Sequence, residues 1–304
     1  MLLRTGMRAL SRLAPGQALA LFDRLWFTPP RTQPRGEGMR WLARGRALDV
    51  RVHGHPLQAW SWGSGPTVLL VHGWGGNAGQ MRAAGEALLA RGMRVVAFDA
   101  PAHGVSGPSR FGGRRVSMIE IADALRVVAA AVGPVAGLVA HSGGCTATAL
   151  ALRDGWAGPA RIAFLAPFAL PSMATGPFAG AIGASAAVTA AFRLHVERRL
   201  GRPWTDFDIP SLPRLRALPP LLLVHDREDP EVPWTHGEAV ARAWPGARLA
   251  SVRGLGHRRL LRDARVLSQV ADFIGGRQVA RPTPAAARGE LDEAFATCGL
   301  DTPR

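Results

Sequence analysis

The chain has 304 residues, 47% hydrophobic and 19% charged, a balance that buries a large core and excludes disorder as the main state. Its formal charge of +15 is carried by Arg without any Lys, and the arginines are scattered through every segment rather than gathered with aromatics on one face, which argues against a nucleic-acid partner. With only 2 Cys, Cys145 and Cys298, neither a disulfide framework nor a Cys-rich zinc site can be built, and a reduced cytoplasmic setting is favoured.

From Met1 to Phe27, Leu3, Met7, Leu10 and Leu13 recur at helical spacing with Arg4, Arg8 and Arg12 as a second stripe, which predicts one amphipathic helix. Arg12, Asp23 and Arg24 interrupt every apolar stretch that a secretion signal would need. Such a helix either packs on the domain or lies on an anionic surface, so residues 1–27 are candidates for peripheral contact with the inner face of a membrane. Thr28 to Gly38 (TPPRTQPRGEG) has no apolar period and reads as a linker. The chain then divides into 1–38, a main domain over 39–275, and a tail over 276–304 with room for a short helix around Leu291 to Ala296.

In the main domain, Val50–Val52 and Gln58–Trp62 read as a hairpin turning at His53-Gly54-His55. Apolar runs of strand length follow at Val68–Val71, Val95–Phe98, Gly137–Ala140, Ile162–Leu165, Leu221–Val224 and Leu249–Val252. Helical stretches at about Gln80–Ala90, Met118–Val132, Thr146–Arg153, Gly237–Ala243 and Arg259–Ile274 alternate with them. The alternation specifies the α/β class, a mostly parallel sheet with helices on both faces. Ala163 to Phe192 carries no charged residue, but Pro167, Pro171 and Pro177 and its Ala, Gly, Ser and Thr content argue against a membrane span. An insertion over about 167–217 that packs above the strand ends as a cap is the better reading, and it would make any pocket beneath it apolar.

Sites in open α/β sheets form at the carboxyl ends of the strands. There Ala140-His141-Ser142-Gly143-Gly144 places a serine at a sharp strand-to-helix turn, with small neighbours and a helix N-terminus offering backbone N–H groups. Three further motifs follow the strands: VLLVHGWGG (Val68–Gly76), FDAPAHGVSG (Phe98–Gly107), and LLLVHDREDPEVP (Leu221–Pro233) with Gly254-Leu255-Gly256-His257-Arg258 after it. Together, over about Leu48 to Ile274, they resemble the α/β-hydrolase family, although Ala140 and Ala102 stand where its motifs carry Gly, and Asp226 replaces the usual Gly of the acid loop.

The resemblance implies a sheet of about eight strands, a nucleophile elbow at Ser142, and an oxyanion hole from the backbone N–H groups of Trp74 and Gly143. It implies Asp229 as the acid, with Asp226 and Glu228 as nearby alternatives, and His257 as the base, in the family's chain order. Asp99, His103, His72 and His141 are expected to brace loops, and Cys145 to be a small buried hydrophobe. No metal or organic cofactor is implied. Serine as nucleophile argues against the branches that use Asp there, leaving acyl transfer to water: a serine hydrolase acting on a small-molecule apolar acyl ester or thioester. Phe168, Met173 and Phe178 are the candidate substrate-binding residues, with ordinary core as the other reading of them. The rival functions are acyl transfer to an alcohol, amide or carbon–carbon hydrolysis, or a silent binding module at a membrane surface, and the oligomeric state stays open.

Overall fold

The structure, a computed structural model, describes residues 2–214 and 217–276. Its helices are α1 (Leu2–Leu13), α2 (Pro15–Phe27), α3 (Gly36–Ala43), α4 (Arg82–Leu89), α5 (Met118–Val132), α6 (Gly143–Arg153), α7 (Pro171–Ile182), α8 (Ala186–Leu200), α9 (Thr235–Ala243), α10 (Gly256–Arg259) and α11 (Ala264–Ile274). Its strands are β1 (Arg46–Val52), β2 (His55–Trp62), β3 (Thr67–Val71), β4 (Arg94–Phe98), β5 (Val135–His141), β6 (Arg161–Leu165), β7 (Leu221–Asp226) and β8 (Arg248–Val252). They form an 8-stranded sheet in the order β1-β2-β4-β3-β5-β6-β7-β8, antiparallel across β1, β2 and β4 and parallel from β4 to β8. This is the α/β-hydrolase fold.

The continuous apolar runs of the central strands follow from burial on both faces. In β3, Leu69 and Val71 join the layer under α5, α6 and α9, while Val68 and Leu70 join the layer under α3, α4 and α11. Local signals set the ends of the helices between them. Ser117 and Glu120 make a reciprocal capping box that opens α5, and the Asp263 carboxylate accepts the Val266 N–H at 2.9 Å to start α11. That cap is why the helix expected over Arg259–Ile274 is broken into α10 and α11. The hairpin strands are longer than their apolar residues suggest, because β1 buries only its inward residues, with Val50 and Val52 facing the core and Asp49 and Arg51 outward.

Between β6 and β7 the chain leaves the sheet and forms α7, α8 and two 3-10 turns, Trp204–Phe207 and Ile209–Arg214. The N-terminal segment, expected as one helix, is two. Pro15 has no N–H to continue the ladder of α1 and instead occupies the first turn of α2. Met7, Ala18, Phe22 and Phe27 are buried in one apolar cluster with Ile182, Val188, Phe192 and Trp204 of the insertion, with Phe22 stacked on Phe192 at 4.1 Å. The expected linker is fastened as well: Arg31 donates to the carbonyls of Gly104 (2.8 Å) and Ser106 (3.0 Å), Thr32 Oγ1 donates to that of Gly75 (2.6 Å), and the segment ends in α3. The short helix expected at Leu291–Ala296 lies outside the described residues.

One charged group ties the N-terminal helices down. Asp23 on α2 is 8% exposed at its side chain and pairs with Arg199 of α8 at 2.9 Å and with Arg115 at 3.4 Å. A carboxylate taken out of water is held only by such partners, and removing one side leaves the other charge uncompensated. Because both arginines are partly exposed, Asp23→Ala is expected to cost about 1–3 kcal/mol, less than a fully buried pair. Urea unfolding of the two proteins measures it.

Candidate active site

The β5–α6 junction is built from strained backbone. Ser142 sits at φ 52° and ψ −122°, a region that costs a non-glycine residue about 1–3 kcal/mol and persists only where packing enforces it. The enforcement is visible on both sides. A Cβ at Gly144 would lie 2.6 Å from the His72 carbonyl oxygen and 2.7 Å from that of Val71, and one at Gly73 would lie 2.9 Å from Ser142 Cβ. The turn after β3 therefore presses backbone against the elbow. Trp74 and Gly143 meet there: the position a Gly143 Cβ would take is 3.4 Å from the Trp74 nitrogen. Gly143 is the first residue of α6, where the N–H has no partner within the helix.

The loop after β7 separates its carboxylates by role. Asp226 accepts from the N–H groups of Glu228 (2.7 Å), Leu255 (2.5 Å) and Gly256 (2.7 Å), so it knits this loop to the one carrying His257. Glu228 is exposed. Asp229 uses Oδ1 for the N–H groups of Glu231 (2.8 Å) and Val232 (2.9 Å) and Oδ2 for His257 Nδ1 at 2.8 Å. Of the three carboxylates weighed in this loop, Asp229 is thus the one that faces His257. Burial by itself would raise the Asp229 carboxyl, but hydrogen bonds from His225, His257 and the Val232 N–H outweigh it and hold the group well below the usual carboxylate range.

His72, His103 and His141, around the elbow, are buried, neutral and structural. His72 accepts the Ala100 N–H at Nε2 (3.0 Å) and donates from Nδ1 to the Gly73 carbonyl (2.8 Å), and burial lowers it to about 4. His103 is lowered to about 3 by burial and then by His72. Asp99 braces the same region, accepting the N–H groups of Ala78 (2.6 Å) and Val105 (2.7 Å), while Ala102 in place of Gly adopts φ 61°. His141, lowered to about 3 by burial and by His257, donates from Nε2 to the His257 carbonyl oxygen at 3.0 Å. That bond ties the loop of His257 to the residue next to Ser142. Burial pushes the Cys145 thiol up and makes it inert, in keeping with a small core residue. Among the described residues no group of His, Cys, Asp and Glu is arranged to hold a metal ion.

Ser142, Gly143 and Trp74 open onto a cavity of about 570 Å³ whose lining contains no charged residue. Phe168 and Phe178 line it as expected of pocket residues. Met173 does not. It is 66% exposed, because the cavity face of α7 runs through Ala174, Pro177, Phe178 and Ala181, and the helical period turns Met173 outward. A whole wall lies outside the sequence expectations: it is formed by Leu25, Trp26, Phe27, Thr28 and Pro30. The signal available was the run Leu25-Trp26-Phe27, too apolar for the end of a surface helix.

The low Asp229 value has a consequence for stability. A carboxyl depressed in the folded state contributes stability that is full above its unfolded value, near 3.9, and is lost as pH falls through the folded value. Asp229→Asn is therefore expected to be less stable than the parent by about 1–3 kcal/mol at pH 7, with the gap closing progressively below pH ~4. Urea unfolding at several pH values tests the closing.

Comparison with known proteins agrees with this architecture. The family model described as "alpha/beta hydrolase fold" matches residues 66–185, and the one described as "TAP-like protein" matches residues 204–281. No curated protein matches the chain. Among solved structures, the esterase EaEST of Exiguobacterium antarcticum is similar at a TM-score of 0.58 and 15% identity, over 76% of this chain and 100% of its own. Est1E of Butyrivibrio proteoclasticus is similar at 0.57 and 16%, over 76% and 98%. A membrane phospholipase A described as a bacterial virulence factor is similar at 0.60 and 18%, over 88% and 94%. The sheet order and these likenesses show the fold, and the two family matches place the chain in the α/β-hydrolase family.

Proposed function

We propose that this protein is a serine hydrolase that cleaves a carboxylic ester or thioester with an apolar acyl group. The observation that carries the reading is the strained Ser142, opening onto a cavity that Trp74 and Gly143 also line and whose described lining carries no charge. His257 takes the Ser142 proton as the oxygen attacks the acyl carbon, and the negative charge that builds on the carbonyl oxygen is met by those two N–H groups. Asp229 holds the imidazole with Nδ1 protonated, leaving Nε2 as the base, and stays ionised throughout. The proton then passes to the departing alcohol or thiol, leaving an acyl group on Ser142. Water, deprotonated by the same imidazole, releases the acid and restores the hydroxyl. The likeness to the Exiguobacterium antarcticum esterase supports the ester as the bond cleaved.

The test is a fluorophosphonate probe with peptide mass mapping. A stable adduct on Ser142, absent in Ser142→Ala and slowed by roughly four orders of magnitude or more in Asp229→Asn or His257→Ala, is the expected result. Folded protein without any adduct would overturn the reading and leave an apolar-ligand binding module in its place.

A peripheral site of action at the inner face of a membrane, within the cytoplasm, is part of the same proposal. No helix among the described residues is long and apolar enough to cross a bilayer. On α1, Leu2 and Leu13 are 91% and 86% exposed beside the exposed Arg4, Arg8 and Arg12, a surface suited to anionic headgroups. Replacing both leucines by Ser is expected to reduce co-sedimentation with phosphatidylglycerol vesicles by at least severalfold, and phosphatidylcholine vesicles should capture little of either protein.

A further inference from the structure

The family matches begin at residue 66, yet a wall of the cavity comes from residues 25–30. That wall lies outside the matched segments. It is made by the end of α2 and the residues just after it, and it faces a cavity otherwise built from the strand ends and the cap. We infer that α2 sets the length of the acyl chain the enzyme accepts, with Trp26 as the specificity-determining residue. The inference rests on the hydrolase reading above and names the substrate class for that site, a hydrocarbon acyl chain longer than acetate or propionate.

The chemistry of the lining comes first. Besides Ser142, the only hydroxyl among the lining side chains is Thr28, and the Trp204 indole N–H is already given to the Arg193 carbonyl at 3.1 Å. A polar acyl group would find few partners there and lose its hydration, whereas methylenes lose nothing. At about 30 Å³ per group, a volume of about 570 Å³ has room for up to roughly twenty heavy atoms, far more than a short acyl group fills.

Trp26 stands where α2 meets both cap helices. Its ring centroid is 5.1 Å from Phe178 of α7 in edge-to-face contact, 5.6 Å from Phe192 of α8 and 5.7 Å from Trp204. An indole in that corner is the bulkiest group the N-terminal wall contributes. The wall is also fixed against retreat. Asp23, one turn before, is held by Arg199 and Arg115; the Phe27 carbonyl accepts the Val116 N–H at 2.9 Å; and the Arg199 guanidinium lies 4.6 Å from the Phe27 ring and 4.2 Å from that of Phe111. A wall held by ion pairs, a backbone bond and ring contacts gives a sharp limit rather than a gradual one, since packed interiors yield little.

The experiment measures kcat/KM on p-nitrophenyl esters from two to sixteen carbons for the full chain and for Trp26→Phe and Trp26→Ala, with thermal melts for each. Each added methylene that finds room raises kcat/KM by about fourfold, until the wall is reached and the rise stops. In Trp26→Ala the stop is expected to move out by at least two carbons. The ratio of the ester two carbons past the parent's limit to the ester at that limit should rise about tenfold or more, with Trp26→Phe in between. In parallel, ethyl and dodecyl fluorophosphonates report the same ratio as rates of Ser142 labelling, which needs little protein if Trp26→Ala folds poorly. If it does not fold at all, Trp26→Phe and Leu25→Ala carry the test. A stop that stays in place in the folded variants, or a parent profile without one, overturns the inference while leaving the hydrolase reading intact. Absence of labelling at either chain length overturns the hydrolase reading and this inference with it.

Discussion

Everything at the candidate site depends on two stretches of backbone approaching so closely that only hydrogen fits between them. The strain at Ser142 is not a local preference; it is imposed where the turn after β3 packs against the start of α6, with Gly144 under the carbonyls of Val71 and His72. The parallel pairing of β3 with β5, in register from Val68 opposite Gly137 to Val71 opposite Ala140, delivers the two turns to the same level. That pairing is in turn held by apolar side chains on both faces of the sheet. Strain of a few kcal/mol is affordable only because so large a core stands behind it.

Burial fixes the state of several of the histidines around the candidate site. His72, His103, His141 and His236 are each pushed to about 3 or 4, chiefly by burial, so they serve as neutral rings with fixed tautomers. His236 shows the pattern at the cavity edge, accepting the Ala169 N–H at 3.0 Å while its ring stacks on Phe168 at 5.7 Å. His257 has a different neighbour, the buried Asp229 carboxylate, 2.8 Å from its Nδ1. Asp229 is kept ionised by donors from two directions, and His225 is one of them, with Nε2 3.4 Å from Oδ2 and 3.0 Å from the Val232 carbonyl.

How much of this could be read from the sequence follows from what each feature needs. The sheet was legible because two-sided burial writes unbroken runs such as Val68–Val71, and the position of Ser142 was legible because an elbow demands small neighbours in fixed places. The opposition of Asp229 to His257 was legible only as a family pattern. That pattern names Asp229 ahead of Asp226, and the hydrogen bonds give these two buried aspartates different partners, His257 for Asp229 and the Leu255 and Gly256 N–H groups for Asp226. The outward turn of Met173 depends on the phase of α7, which a segment of Ala, Gly, Pro and Ser does not fix, because its residues are too alike for a hydrophobic face to stand out. The N-terminal wall was hidden for a different reason. Pro15 splits the segment into two helices, so the stripe through Leu3 and Met7 says nothing about where Leu25 and Trp26 point.

That wall changes what the cap means. Were α7 and α8 alone above the sheet, Phe178, Phe192 and Trp204 would present aromatic faces to solvent, a patch that soluble surfaces rarely leave open. With Phe22 stacked on Phe192 and Trp26 edge-on to Phe178, the same rings become the interior of a three-sided chamber. The covering of these rings is thereby a property of the N-terminal helices as much as of α7 and α8. In the proposed reaction, water exclusion would matter most at the point where charge develops, because the N–H groups of Trp74 and Gly143 would act more strongly on a growing oxyanion in a dry site than in a wet one. The segment that looks like an appendage in the sequence thus bears on the electrostatics of the elbow, through the medium it removes rather than through any bond to Ser142.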